Sequence, residues 1–157
     1  MSDLATRFDP EILTLIPHRP PMLLINRILE VGEKQSSAEV FIDMETPFYE
    51  KDFGVPATIG LEFMGQTAAL IAGNQAIKNP ADAKLGFLLG TRKYQSKLSY
   101  FKENSVLVVE CSESAMVGET LASFSCTIRY KDEAEIIATA NLSVLRQPIN
   151  KSPVENH

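Results

Sequence analysis

A carboxylate stands in a run of residues that would give it little water. Ile59 to Gly73 reads Ile-Gly-Leu-Glu-Phe-Met-Gly-Gln-Thr-Ala-Ala-Leu-Ile-Ala-Gly. It is apolar on nearly every side, which predicts a helix packed inside the protein rather than along its surface. Glu62 is the acid in that run. A desolvated carboxylic acid holds its proton toward neutral pH, as a general acid or base requires, and an idle carboxylate is too costly to bury without a partner. Near the helix start the dipole favours the anion and burial the neutral acid, so a dry site is expected to favour the acid. Gln66 follows one turn later, where its amide can orient the carboxyl group. Backbone amides near Thr58, Ile59 and Gly60 can polarise a carbonyl, because a helix N-terminus has donors without internal partners, and Gly60 allows a close approach.

His18 is the other side chain suited to proton transfer, His157 being near the C-terminus. Two readings stand: a ring bonded to nearby backbone after Pro17, or a base. Arg92, Lys93 and Lys97 form a small basic cluster, either a docking patch for an acidic partner or a solvated strand edge. Cys111 and Cys126 fall in strand-like segments without metal-ligand spacing and read as small apolar residues. No metal site, phosphate loop or nucleophile triad is expected.

The elements that must hold these groups follow from periodicity. Asp9-Pro10-Glu11 opens a short helix, with Asp9 as cap, that ends before Pro17, Pro20 and Pro21. Met22 to Glu30 and Ser36 to Glu45 read as strands, the second with Ala38, Val40, Ile42 and Met44 on one face. After the long helix and the break at Asn79-Pro80, Leu85 to Tyr94 and Val106 to Met116 look extended. Ala122, Phe124, Cys126, Ile128 and Tyr130 share one parity, and Ile136, Ala138, Ala140, Leu142 and Val144 repeat it after Lys131-Asp132-Glu133, an antiparallel hairpin with one buried face. A curved antiparallel sheet laid on one buried helix satisfies every pattern, an α+β architecture.

Composition sets outer bounds. The 157 residues are 45% hydrophobic, enough for one core and one domain, expected over 1–147 with a disordered tail at 148–157. A net charge of −5 argues against nucleic acid as the main partner. No stretch approaches the roughly 20 apolar residues of a membrane span, and Met1 to Ala5 lacks signal-peptide character, so the expected location is cytoplasmic.

Two motifs resemble a known family. Ile16-Pro17-His18-Arg19-Pro20-Pro21-Met22-Leu23-Leu24-Ile25-Asn26-Arg27 is similar to the opening motif of the β-hydroxyacyl-acyl-carrier-protein dehydratases, and Gly60-Leu61-Glu62-Phe63-Met64-Gly65-Gln66 to their central-helix motif. The resemblance implies a hotdog fold, a long central helix wrapped by a sheet and dimerised so that two sheets join. Gly86 to Tyr94, with the missing histidine described next, narrows the likeness to the divergent ApeP-like dehydratases of aryl-polyene biosynthesis.

The implied chemistry removes water from a 3-hydroxyacyl thioester carried on the phosphopantetheine of an acyl carrier protein, with no other cofactor. A base takes a proton from C2 while an acid helps the C3 hydroxyl leave, and Glu62 matches the acid. Where active members place a histidine followed by phenylalanine, this chain has Asp52-Phe53. Aspartate is a poor substitute for imidazole, with an unperturbed pKa of about 3.9 rather than 6.5, and a loop or cap role for Asp52 is the alternative. In the resembled enzymes the histidine and the acid of one site come from different subunits. The chain is therefore expected to act as a homodimer or, preferably, as a heterodimer with a second dehydratase-like hotdog protein that supplies the histidine. The basic cluster would dock the carrier protein. A silent dehydratase subunit and a hotdog thioesterase are the competing functions.

Overall fold

The computed structural model describes residues 7–82, 84–118 and 120–148. One long helix, α2 (Gly60–Lys78), lies against a six-stranded antiparallel sheet, and a short helix, α1 (Ile12–Leu15), crosses it on the other side. The strands are β1 (Arg27–Val31), β2 (Gln35–Ile42), β4 (Lys84–Ser96), β6 (Ser105–Val117), β7 (Leu121–Tyr130) and β8 (Ile136–Pro148). They run in the order β1-β2-β6-β7-β8-β4, so the strand that follows α2 forms one edge. A separate pair, β3 (Val55–Pro56) with β5 (Tyr100–Phe101), closes the end where α2 begins.

The hairpin read from alternation is present: Ala122, Phe124, Cys126, Ile128 and Tyr130 are all buried, and β7 pairs β8 with Cys126 opposite Ala140. Against that face α2 buries Phe63, Met64, Leu70 and Ile71. Each such side chain contributes about 1.5–3 kcal/mol by leaving water, so this layer dominates the fold. The helix also buries two polar side chains and satisfies both. Thr67 Oγ1 donates to the Phe63 carbonyl at 2.8 Å, and Gln66 is bonded as described below. Cys111 and Cys126 face each other across β6 and β7 as free, buried thiols, the apolar role read from sequence.

Three local expectations shift. Asp9 does not cap α1: its Oδ2 accepts the amide of Ile28 at 2.8 Å, and α1 has no side-chain cap, so this carboxylate ties the chain to β1. The run from Met22 pairs as a strand only from Arg27, because the Leu24 amide goes to the side chain of Gln66 instead of to a neighbouring strand. The second strand stops at Ile42, because the Asp43 carboxylate turns back to the Glu45 amide and grips Arg7, leaving Met44 80% exposed. At the other end β8 reaches Pro148, and the rest of the expected tail, His157 included, lies outside the described residues.

Candidate active site

α1 rests directly on α2, and a glycine makes the crossing possible. A Cβ at Gly73 would sit 1.9 Å from the carbonyl oxygen of Leu15, so only hydrogen fits there. Beyond α1 the Arg19 guanidinium gathers the carbonyls of Leu13, Ile16 and His18 at 2.8–2.9 Å, compensating helix-end acceptors that have no internal donor. This fold-back carries His18 to the first turn of α2, where its Nε2 lies 3.9 Å from Glu62 Oε1.

Gln66 fixes the same corner from below. Its oxygen accepts the Leu24 amide at 2.8 Å, and its nitrogen donates to the Met22 carbonyl at 2.8 Å and to Glu62 Oε1 at 3.3 Å. Fully buried and bonded on both ends, it contacts one carboxylate oxygen of Glu62.

Glu62 is not withdrawn from water in this single chain. Its side chain is 43% exposed, because the face of α2 that carries it is left uncovered by the sheet. It opens onto a cavity of about 420 Å³ walled by Gly65, Ala69, Ala72, Phe124 and Val144, with His18 also in its lining. The dryness expected from the apolar sequence is therefore only partial, since small side chains on this face build a hollow rather than a packed layer.

His18 does not match the reading of a ring held by backbone. Its Nδ1 is buried and has no hydrogen-bond partner among the described residues. Burial pushes its pKa below the ordinary 6.5, the Glu62 carboxylate pulls it up and Arg19 pushes it down again, with burial prevailing. The imidazole is thus held toward its neutral, proton-accepting form beside a carboxylate.

Gly60 has a different task from the one expected. It is buried, its amide donates to the Ala57 carbonyl, and a Cβ there would meet Tyr94 Oη at 2.5 Å and Ile128 and Phe101 at 3.1 Å. The glycine admits core side chains to the helix start. Tyr94 donates its hydroxyl to the Ala57 carbonyl as well, and burial lifts its pKa to about 12.

Asp52 is a turn residue. It is exposed with φ of 72° in a tight loop whose ends, Glu50 and Gly54, exchange backbone hydrogen bonds at 2.7 and 2.9 Å, and it does not line the cavity. Next to it Phe53 is 60% exposed and packs on Tyr100, with ring centres 5.3 Å apart. The basic cluster is divided. Arg92 pairs through its backbone with Asn141, Lys93 is exposed at a bulge with φ of 57°, and Lys97 forms a 2.9 Å ion pair with Glu135.

Sequence reasoning passed over Arg146. It lines the same cavity, 5% exposed, in a 2.9 Å ion pair with Glu113. The signal was available: Arg146 continues the inward parity of Ala138, Ala140, Leu142 and Val144.

A carboxylate on a long helix laid against a six-stranded antiparallel sheet, facing a hollow, is the arrangement of the hotdog fold. The family model described as ApeP dehydratase, ApeP-like, matches residues 10–154, and the chain belongs to that family. It is 31% identical over 113 residues to the 3-hydroxyacyl-[acyl-carrier-protein] dehydratase FabZ of Caldicellulosiruptor bescii, a match spanning 69% of this chain and 78% of that one. With FabZ of Streptococcus agalactiae it shares 33% identity over 91 residues, 55% of this chain and 63% of the relative's length. Among solved structures, the dehydratase heterocomplex ApeI:P from Xenorhabdus doucetiae superposes with a TM-score of 0.78 at 22% identity, covering 92% of this chain and 95% of that one. A hypothetical thioesterase protein with coenzyme A from Streptococcus pneumoniae shares the fold at a TM-score of 0.62 and 11% identity, over 78% and 85% of the chains. Among the described residues no helix is long and apolar enough to cross a membrane.

Proposed function

We propose that this protein is the acid-bearing subunit of a cytoplasmic 3-hydroxyacyl-acyl-carrier-protein dehydratase acting in fatty-acid-like or aryl-polyene biosynthesis. Glu62 donates a proton to the departing C3 hydroxyl while a histidine removes a proton from C2, giving water and the trans-2-enoyl thioester. The observation that carries this reading is the Glu62 carboxylate, held by Gln66, in the lining of a cavity of about 420 Å³. The phosphopantetheine of the carrier supplies the thioester, and no further cofactor enters. Exposed Lys93 would meet an acidic carrier.

The preferred source of the histidine is a second hotdog subunit. Asp52 stands outside the cavity, and the ApeI:P structure on which this chain superposes is itself a dehydratase heterocomplex. A second reading rests on the 3.9 Å approach of His18 to Glu62, which makes a base available within one chain.

Mass spectrometry of a carrier-bound 3-hydroxyacyl substrate separates these readings. The protein is tested alone and then with a co-encoded hotdog protein, with Glu62→Gln and His18→Gln variants of each. Loss of one water in the mixture, abolished by Glu62→Gln and insensitive to His18→Gln, supports the composite site. Loss of water by the protein alone, abolished by either substitution, assigns the base to His18. Full turnover of the mixture with Glu62→Gln overturns the proposal in favour of a silent subunit, and release of free carrier thiol without enoyl product overturns it in favour of a thioesterase.

A further inference from the structure

The cavity onto which Glu62 opens carries one charged group apart from the corner where Glu62 meets His18. Of the residues that line it, His18, Glu62 and Arg146 bear titratable side chains, and the first two approach each other at 3.9 Å. Arg146 is 5% exposed, and the Glu113 carboxylate that balances its charge is not part of the lining. Its Nη2 donates to Glu113 Oε1 at 2.9 Å, Nη1 reaches only the Met116 sulfur at 3.9 Å, and Nε is buried with no hydrogen-bond partner among the described residues. A guanidinium has five N–H donors, so one carboxylate oxygen and one weak sulfur acceptor leave donors unused. An unmade hydrogen bond in the interior costs free energy that a ligand acceptor would offset.

The sheet register gives the level of the guanidinium. It lies 5.5 Å over the ring of Phe124, which also lines the cavity and which pairs with Glu113 on β6 and Leu142 on β8. Further along β7, Cys126 pairs with Cys111, whose thiol donates to the Met64 carbonyl at 3.4 Å. Beyond it Ile128 packs against the start of α2 at Gly60. From Ile128 back to Phe124 is about 13 Å at roughly 3.3 Å per residue, a level on the order of 10 Å past Glu62 along α2. Ala68 and Ala69 stand at that level, midway along the stretch from Glu62 to Ile77 that lines the hollow.

We propose that Arg146 determines specificity: the cavity holds acyl groups that carry a neutral oxygen acceptor partway along the chain, as an ether, ketone or hydroxyl, in preference to plain hydrocarbon of the same length. This deepens the reading of the cavity as an acyl site and rests on it. Hydrocarbon at the level of Phe124 leaves the spare donors of Arg146 unsatisfied, whereas an oxygen there takes a hydrogen bond from a charged group, the stronger kind. A carboxylate is disfavoured, because Glu113 already neutralises the guanidinium and a second anion would enter a mostly apolar hollow without a counter-charge.

The test is binding without turnover. Saturated acyl-pantetheine thioesters of one length, with an ether oxygen replacing each successive methylene beyond the reacting carbons, are titrated by calorimetry into the full chain, alone and with the co-encoded hotdog protein. An ether at one position, or at two adjacent ones, is expected to bind about tenfold more tightly than the all-carbon thioester. Arg146→Met is expected to abolish that preference while the all-carbon ligand still binds. Should that variant fail to fold, nitrogen NMR of the native chain replaces it: the Arg146 Nε–H signal is expected to shift on binding the preferred ether and to stay in place with the all-carbon thioester. Equal binding across the series, a preference that survives Arg146→Met, or an Arg146 signal indifferent to the ether overturns this inference and leaves the dehydratase reading intact. Failure of every thioester to bind either preparation overturns the acyl-site reading and this inference with it.

Discussion

The side-chain nitrogen of Gln66 lies 3.3 Å from Glu62 Oε1, while the same amide group spans the backbone of Met22 and Leu24. The acid on α2 and the segment entering β1 are thereby locked to each other through one buried side chain.

Gln66→Ala is expected to leave the Leu24 amide unpaired in the interior and to free the part-buried Met22 carbonyl. Each orphaned buried group costs about 1–3 kcal/mol. Denaturant titration is expected to show a loss of about 1–3 kcal/mol, and any turnover is expected to fall as Glu62 loses its orienting contact. A variant of unchanged stability would contradict the bonding described.

Titration of His18 follows from its surroundings. Burial lowers its pKa first and Arg19 lowers it further, against the pull of Glu62. With the folded value depressed, the unfolded chain takes up the proton first as the pH drops. Stability from this group is thus complete above 6.5, the ordinary value, and declines as the pH falls through it toward the folded pKa. Glu62→Gln removes the opposing attraction and is expected to depress His18 more. Imidazole NMR titration checks both points, and a His18 value above 6.5 in the native protein would contradict them.

Three glycines of α2 are expected to respond differently to alanine. Gly73→Ala drives a Cβ into the Leu15 carbonyl at 1.9 Å and is expected to dislodge α1, and with it His18. Gly60→Ala meets side-chain atoms at 2.5–3.1 Å, a milder overpacking worth about 1–3 kcal/mol. Gly65→Ala meets nothing within 4 Å and faces the cavity, so it is expected to add up to about 1 kcal/mol of helix stability while reducing acyl binding. Thermal unfolding of the three variants, with acyl-thioester binding by the third, distinguishes these effects.

The thiols give a readout of packing. Cys111 is buried, which pushes its pKa well up, with Cys126 beside it acting in the same direction. Since the thiolate is the reactive form, a thiol reagent is expected to label neither cysteine at neutral pH until denaturant is added. Rapid labelling of the native chain would show that the sheet opens along β6 and β7.

Much of this was legible residue by residue. The alternation from Ala122 to Tyr130 defined a one-sided strand because side-chain direction in a strand repeats every second residue, a local rule. The apolar run around Glu62 defined the central helix, and Gln66 one turn along was correctly read as its companion, again because helical spacing is local. Asp9 was misassigned because the same carboxylate can serve a nearby helix or a distant strand, and the choice of Ile28 depends on β1 folding back beside it.

By itself, then, the sequence determined the long helix, the alternation of the β7–β8 hairpin, and the presence of an acid on that helix without the usual histidine before it. Only the tertiary structure decided that His18 stands 3.9 Å from that acid, that Gly60 serves the core, and that Arg146 shares the hollow with Glu62. Local periodicity dictates which way each side chain points along its own element. Which groups then meet depends on how elements distant in the chain close on one another, and no spacing within one segment records that closure.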